Sequence, residues 1–379
     1  MAKPLTPASE AALAEIISSA ESPLRLEGLG TKAALGHRVQ GQVLSLAQFS
    51  GIAIYEPEEL ILEAGAATPL SEIEKLVAGK GQMLAFEPPD FSKLLGSKHA
   101  GSIGGITASN LSGPRRLKAG AARDHVLGVR CVSGRGEVLR TGARVVKNVT
   151  GYDLPKLLTG SWGTLAAMTS VTLKVLPRPE TEETLVLRGL SDADAVRLMS
   201  EALQSPADVS AAAHLPGEAT YLRLDGIAPS IAFRRDRLVK LLDHDAGVLA
   251  EKESRKLWQR VRDAEPFHKL KDKAIWRLSV TPMDAPAIVA LISTQMNATW
   301  FYDWAGGLVW LATENAGDAG AAIIRGALPS GHATLLRAGD SVKQAAGVFQ
   351  PQAPALAALT DRIRQAFDPR GILNPGIMG

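Results

Sequence analysis

Apolar positions at helical spacing alternate along the chain with short continuous apolar runs, and the two patterns divide it into segments of different character. Leu13, Ile16 and Ile17 fall on one face of a segment that Thr6 and Pro7 introduce, which predicts an N-terminal helix capped at Thr6. "PLRLEG" (23–28) and "LILEAGA" (60–66) read as strands. Thr68-Pro69 then opens a helix whose buried side is Leu70, Ile73, Leu76 and Val77, so the first 85 residues predict a β-α-β arrangement. From 86 to 179 the chain is glycine-rich, with strand-like pieces at "LGVRCVS" (127–133), "EVLRTGARVV" (137–146) and "MTSVTLKVL" (168–176). "LPRPETEE" (176–183), two prolines followed by acids, reads as a linker.

The second half repeats one order of elements. "TLVLRGL" (184–190) is a strand, and Ser191 with Asp194 starts a helix carrying Val196, Met199 and Leu203. "VSAAAHL" and "ATYLRLDG" give two more strands, and 229–242 a helix. Then "AIWRLSV" (274–280) is a strand and 285–295 a helix. "ATWFYDW" and "LVWLAT" form a hairpin around Ala305-Gly306-Gly307, 316–328 is a helix and "HATLLRA" a strand. Strand-helix-strand-strand-helix-strand is the split β-α-β order, here present as two units over 180–340. The tail, 353–379, is a helix ending at "FDPRGILNPG".

The 379 residues exceed what one hydrophobic core usually serves, and the patterns divide them into 1–179, 180–345 and a C-terminal segment, 346–379, returning to the first domain. A net charge of +3 with both signs mixed gives no field for nucleic acid. Apolar runs such as "AIVALI" (287–292) are too short to span a bilayer, and Glu10 and Glu15 interrupt any signal-like stretch. The single cysteine, Cys131, excludes an internal disulfide, a thiolate zinc site and an iron–sulfur cluster held by this chain, which points to the cytoplasm.

Three glycine-rich stretches carry the candidate chemistry. In "LEGLGTKAALG" (26–36), Gly28 and Gly30 allow a tight turn that gathers N–H groups, and Thr31 adds a hydroxyl. Neither a dinucleotide fingerprint nor a P-loop is matched, because Lys32-Ala33 stands where a third glycine would fall; alone, the stretch reads equally well as an ordinary turn. "GSIGGITASN" (101–110) would let a flat or extended ligand lie on the backbone, and Asn110, Arg115, Arg116, Lys118 and Arg123 follow with donors and charge. For Arg116 and Lys118 a solvated basic loop is the better reading. "GSWGT" (160–164), inside 145–177, offers a bend before a strand. Three phosphate-competent loops in one segment are harder to explain as turns than one.

Together these segments resemble the flavin-binding domain of the p-cresol methylhydroxylase and vanillyl-alcohol oxidase family, over about 1–179 and the tail. Within that family, "GPRR" (113–116), "VKNVTGYDLPKLLTGSWGTL" (146–165), "FYDWAGG" (301–307), "SGHATLLR" (330–337) and "FDPRGILNPG" (367–376) look like the E subunits of bacterial glycolate oxidases. The resemblance implies an α+β architecture: a two-subdomain FAD-binding fold plus an α/β cap with an antiparallel sheet. It implies that FAD is held by Gly28, Leu29, Gly30, Thr31 and Lys32, by Ser102, Gly104, Gly105, Ser109, Asn110 and Gly113, and by Arg123, Gly163, Thr164, Leu165 and Met168. The glycines at 101, 104 and 105 would then serve to let backbone amides reach a pyrophosphate. Two departures stand out. Glu27 places an acid beside that loop, and the loop lacks the histidine that relatives with covalently held flavin use, so FAD is expected to be non-covalent.

Oxidising a 2-hydroxy acid needs a cation for the carboxylate, a base for the hydroxyl proton and the α-carbon placed against the flavin. The histidines at 37, 99, 125, 214, 244, 268 and 332 show no metal-ligand spacing, so no metal site is expected. The histidine box of the D-lactate dehydrogenases and of the oxidase D subunit is missing. His332 and Arg337 are the candidate base and carboxylate clamp, equally readable as a strand-end histidine and a surface arginine; Trp304 reads as core. Asn374 resembles a family position near the isoalloxazine ring and joins His332 and Arg337 as a candidate catalytic residue. The resemblance implies partners: a D-type FAD subunit and an iron–sulfur subunit, which leave room for attachment to the inner-membrane face. Two alternatives stay open, a self-sufficient FAD-dependent 2-hydroxy-acid dehydrogenase and a non-catalytic flavin-fold assembly subunit.

Overall fold

The computed structural model describes residues 3–142 and 152–379, so the end of the strand expected over 137–146 and the "VKNVTG" start of the third glycine segment lie outside the described residues. The chain forms two compact units. The first is Met1–Ser112, Gly120–Arg178 and Pro351–Gly379; the second is Gly113–Ala119 and Pro179–Gln350. The sequence division kept 113–119 in the first domain and began the tail at 346. The structure groups 113–119 with the second unit and begins the returning segment at Pro351.

In the first unit, the strands are β1 (Leu24–Glu27), β2 (Gln42–Ser45), β3 (Ile52–Glu56), β4 (Ile61–Gly65), β5 (Gln82–Met83), β6 (Val126–Ser133), β7 (Val138–Gly142), β8 (Ala166–Lys174) and β9 (Leu176–Pro177). β1 and β2 form a parallel pair, β3-β4-β8-β6-β7 an antiparallel sheet, and β5 pairs with β9. The expected β-α-β crossover is therefore absent. β2 and β3 are the strands that an apolar count misses, since together they hold one fully buried residue, Leu44. The N-terminal helix begins later than Thr6 predicts, at Glu10–Ser19, with Ser9 Oγ accepting the Ala12 N–H at 3.2 Å. Leu5 is tied to β2 on both sides (its N–H to Val43 O, its carbonyl to Ser45 N–H), which keeps the chain extended there. Thr68 is not a helix cap either; its hydroxyl exchanges hydrogen bonds with the Gly51 backbone. Leu76 is half-buried, while Leu70, Ile73 and Val77 are fully buried as the spacing requires.

The C-terminal segment is part of this core. Ile372 and Leu373 join Leu13, Ile17, Leu24, Leu44 and Val132 in one cluster. The Leu24 N–H donates to Ile372 O at 2.7 Å. Arg370 donates to the carbonyls of Ile17, Ser18 and Ala20 at the end of the first helix, where intrahelical donors run out. The tail helix itself is Pro354–Phe367.

In the second unit, β10 (Thr181–Leu187), β11 (Ala211–Leu215), β12 (Ala219–Gly226), β13 (Ala246–Leu249), β14 (Lys273–Ser279), β15 (Thr299–Asp303), β16 (Leu308–Glu314) and β17 (His332–Arg337) form one sheet, ordered β13-β10-β12-β11-β15-β16-β14-β17. Each half is a split β-α-β unit, and the halves join through the antiparallel β11–β15 pair at His214 and Tyr302. The residues read as a linker start β10: Glu182 is buried and accepts from Ser254 Oγ at 2.7 Å. The helices Glu251–Arg262 and Asp340–Ala346 and the short helix Arg116–Ala119 fall outside the sequence reading. Trp276, Leu278, Leu311 and Leu335 point to the helix-covered face, so strand alternation turns Ile275, Arg277 and Trp310 to the other.

Candidate functional site

A cavity in the first unit has an empty volume of about 1060 Å³, open solvent at its mouth included. Its lining comes mainly from the Arg25–Ala33 stretch, the Ser102–Ser109 segment, the Trp162–Met168 bend, and Asn374 with Ile377, with Leu35, His37, Arg38, Val39, Leu46, Ala66 and Ala67 completing it.

The second stretch is not a loop. Residues Ile103–Ser109 form a helix capped by Ser102, whose Oγ accepts the Gly105 N–H at 3.3 Å. Its first amides are already used, Ile103 N–H on Thr68 O and Gly104 N–H on Ala66 O at 2.7 Å. This corrects the role expected of Gly104. A Cβ there would lie 2.6 Å from Ala66 O, so the glycine allows a close helix–strand approach rather than exposing its amide to a ligand. Gly101 sits at φ +104°, and a Cβ on it would meet Thr31 Oγ1 at 2.5 Å and Lys32 Nζ at 2.6 Å.

The first loop differs. Among the described residues, the amides of Gly28, Leu29, Gly30, Thr31 and Lys32 donate to no protein acceptor. Lys32 Nζ reaches one carbonyl, Ala100 O, at 3.3 Å. Burial lowers its pKa to about 8, against the field of Asp90. Arg25 also lines the cavity; it pairs with Glu27 at 2.9 Å, and its Nε is buried without a partner. Glu27 therefore faces the cavity with its charge offset by Arg25. Unspent amides and an underpaired buried ammonium form a cradle suited to a diphosphate, which accepts several hydrogen bonds and raises a lysine's pKa.

Asn374 holds the wall together. Its Oδ1 accepts the Leu26 N–H at 2.8 Å and its Nδ2 donates to Trp162 O at 2.9 Å. The residue lies at φ +45° and is 5% exposed. It is a positioning residue, not the reacting group the sequence reading made it. Trp162 and Gly163, at φ +55° and +72°, make the bend it pins. Asn374→Ala is expected to leave both backbone groups unpaired and to cost about 2–4 kcal/mol. Urea unfolding checks this as a lower midpoint at unchanged slope.

Of the other expected residues, Gly28 to Lys32, Ser102, Gly104, Gly105, Ser109, Gly163 and Met168 line the cavity. Asn110, Gly113, Arg123, Thr164 and Leu165 do not. Asn110 is the left-handed cap of the Ile103–Ser109 helix and accepts the Arg123 N–H at 3.1 Å; the Arg123 side chain is exposed. Gly113 belongs to the second unit, where its carbonyl accepts from Trp304 Nε1 at 3.0 Å. Thr164 Oγ1 donates to Ser161 O, and Leu165 is core. The cavity gains Trp162, His37 and Arg38, which only their neighbourhood to the glycine motifs could have suggested.

The structure does not bring His332 and Arg337 together as a base and a clamp. They occupy opposite ends of β17, about 17 Å apart at strand rise. Arg337 donates to Leu270 O and Lys273 O, and His332 is exposed. Arg116 is not a solvated bystander, since it lies 4.5 Å from the Trp304 ring centre, whereas Lys118 is exposed as read and pairs with the equally exposed Asp208. Cys131 is buried, and burial pushes its thiol up to about 12. Among the described residues, no group of three His, Cys, Asp or Glu could hold a metal, and no helix is long and apolar enough to cross a membrane.

A family profile described as "FAD binding domain" matches residues 3–142. The chain is 35% identical over 361 residues to glycolate oxidase subunit GlcE of Escherichia coli K12, covering 95% of this chain and 93% of that protein. It is 35% identical over 182 residues to glycolate oxidase subunit GlcD of Bacillus subtilis, covering 48% of this chain and 36% of that protein. Among solved structures, alkyldihydroxyacetonephosphate synthase superposes with a TM-score of 0.66 at 14% identity, over 98% of this chain and 76% of that one, a likeness of fold.

Proposed function

The chain belongs to the family of the glycolate oxidase subunit GlcE, and from that membership we propose that it is the FAD-binding subunit of a 2-hydroxy-acid oxidase complex. The carrying observation is the unspent amide cradle of Gly28–Lys32 with the Lys32 ammonium beside it, which fits the diphosphate of FAD. Bound FAD supplies a ring that accepts two electrons from the α-carbon of a 2-hydroxy acid. The chain's own residues do the rest. The loop amides and Lys32 take the diphosphate charge. Leu35, Leu46, Ala166 and Met168 give the cavity a dry wall. Asn374 fixes the distance between β1 and the Trp162 bend. The cradle loop itself contains no histidine, which favours a flavin held without a covalent bond.

GlcD, a second subunit of glycolate oxidase by its name, aligns with about half of this chain. We place the chain beside a D-type FAD subunit and an iron–sulfur subunit, with any attachment to the inner-membrane face made through them. The metal-ligating histidines absent here are assigned to the D-type partner.

The test is the absorbance spectrum of the purified chain and its response to glycolate without oxygen. A flavin spectrum whose chromophore acid precipitation releases is expected. Slow or absent bleaching by glycolate alone, with rapid bleaching once partners are added, supports the subunit reading. Rapid bleaching by the isolated chain replaces it with a self-sufficient dehydrogenase. A colourless chain that takes up no added FAD leaves only an assembly role.

A further inference from the structure

The second unit holds a cationic cluster that the flavin site does not use. Arg277 lies on β14, on the sheet face turned away from the helices. Its guanidinium carbon is 5.4 Å from the ring centre of Trp304 and 5.6 Å from that of Trp310, its direct cross-strand partner on β16. Its Nε is buried with no hydrogen-bond partner, and no hydrogen bond from this guanidinium is present among the described residues. Arg116 sits on the same Trp304 ring at 4.5 Å. His332 stands two residues from Thr334, which pairs with Arg277 across β14 and β17, so it lies on the same face.

Buried donors without acceptors are rare, and two guanidiniums on one ring repel each other. Indole faces attract a cation but satisfy none of its N–H groups. The arrangement is costly for the free protein and favourable once an anion enters. A planar guanidinium fork matches a carboxylate best.

We infer that the second unit carries a binding site for a small monocarboxylate, with Arg277 as the fork, Arg116 as a second cation and the Trp304 ring as the floor. Charge sets the valence. His332 is solvent-accessible at the strand end, yet partial desolvation and the fields of Arg277 and Arg116 lower its pKa, which favours the neutral imidazole. Asp303, whose field acts on Arg277, offsets one of the two cations and leaves a single positive charge. A monoanion balances that charge, and a phosphate dianion does not. His332 then offers a neutral imidazole beside the bound acid, the state needed to accept a hydroxyl proton. This assigns it a neighbour other than Arg337.

The inference rests on the second unit alone and is separable from the flavin reading. The probes are acetate and glycolate, with glycolamide as the neutral control and inorganic phosphate as the dianion, titrated anaerobically into the full chain by calorimetry and tryptophan fluorescence. Saturable binding of both acids, with none of glycolamide and weaker binding of phosphate, is expected. Arg277→Gln is expected to weaken the acids about 10- to 100-fold. Arg277→Lys, which keeps the charge and loses the fork, falls between. The flavin spectrum, read on the same samples, is expected to stay unchanged in both variants. If Arg277→Gln does not fold, Arg277→Lys and Arg116→Gln carry the comparison. Absence of carboxylate binding to the unmodified chain at millimolar concentration, equal affinity for glycolamide, tighter binding of phosphate, or unchanged affinity in the variants overturns the inference, whatever the flavin spectrum shows.

Discussion

Gly104→Ala is expected to cost the protein its flavin and about 1–3 kcal/mol of stability, whereas Gly105→Ala next to it is expected to be neutral or slightly stabilising. The two positions differ in what a methyl group meets. At Gly104 the new Cβ would lie 2.6 Å from Ala66 O and 2.8 Å from Ala66 Cβ, and the Gly104 N–H is bonded to that same carbonyl. Neither neighbour can rotate away, so the Ile103–Ser109 helix must move off the Ala66 strand end. Both Ala66 and the helix line the cavity, so the movement opens one wall of the flavin site. At Gly105 the Cβ meets nothing nearer than Lys32 Cδ at 3.5 Å, an ordinary contact. Alanine there also recovers up to about 1 kcal/mol of helix propensity. Urea unfolding and the flavin-to-protein absorbance ratio of the two variants check the pair. Equal behaviour of the variants would show that close packing is not what selects glycine at 104.

The contrast also marks what the sequence disclosed. The position of the cavity was legible, because glycine clusters announce backbone that turns tightly or is approached closely. The reason for each glycine was not. Gly104 and the Gly28–Lys32 loop look alike in sequence, yet the amide of one is spent on Ala66 and those of the other are free, a distinction made by a strand end 38 residues away from Gly104. Asn374 shows the same limit over a greater distance: its bond to the Leu26 N–H spans 348 residues, and no local pattern signals it. The second unit was legible because its elements follow a repeated order with strong apolar periodicity. Its cationic cluster was not, because Arg116 comes from a basic stretch that reads as solvated, and only the fold sets it on Trp304. The apparent pairing of His332 with Arg337 failed on strand geometry, since nearness in sequence along an extended strand is separation in space.

Lys32→Met is expected to weaken FAD binding about 10- to 100-fold while making the flavin-free protein more stable at neutral pH. The ammonium is buried against one carbonyl, and its pKa falls from the ordinary 10.5 to about 8. Below pH 8 the folded chain carries that charge at full desolvation cost, bounded at roughly 3 kcal/mol by the size of the shift. Methionine fills similar space without the charge. Between pH 8 and 10.5 the unfolded chain binds more protons at this residue than the folded chain, so the stability of the flavin-free protein rises with pH across that window. The rise is expected to be absent from the methionine variant. A bound diphosphate reverses the relation by stabilising the ammonium, so the holoprotein's Lys32 titrates higher and FAD binding above pH 8 takes up a proton. Affinity for FAD is therefore expected to fall as pH increases from 8 to 10, and to do so less in the variant. Flavin fluorescence titrations at several pH values, with thermal unfolding of the flavin-free chain alongside, read both effects. A pH-independent affinity in the unmodified chain, or a variant that binds FAD as tightly, would place the diphosphate away from Lys32.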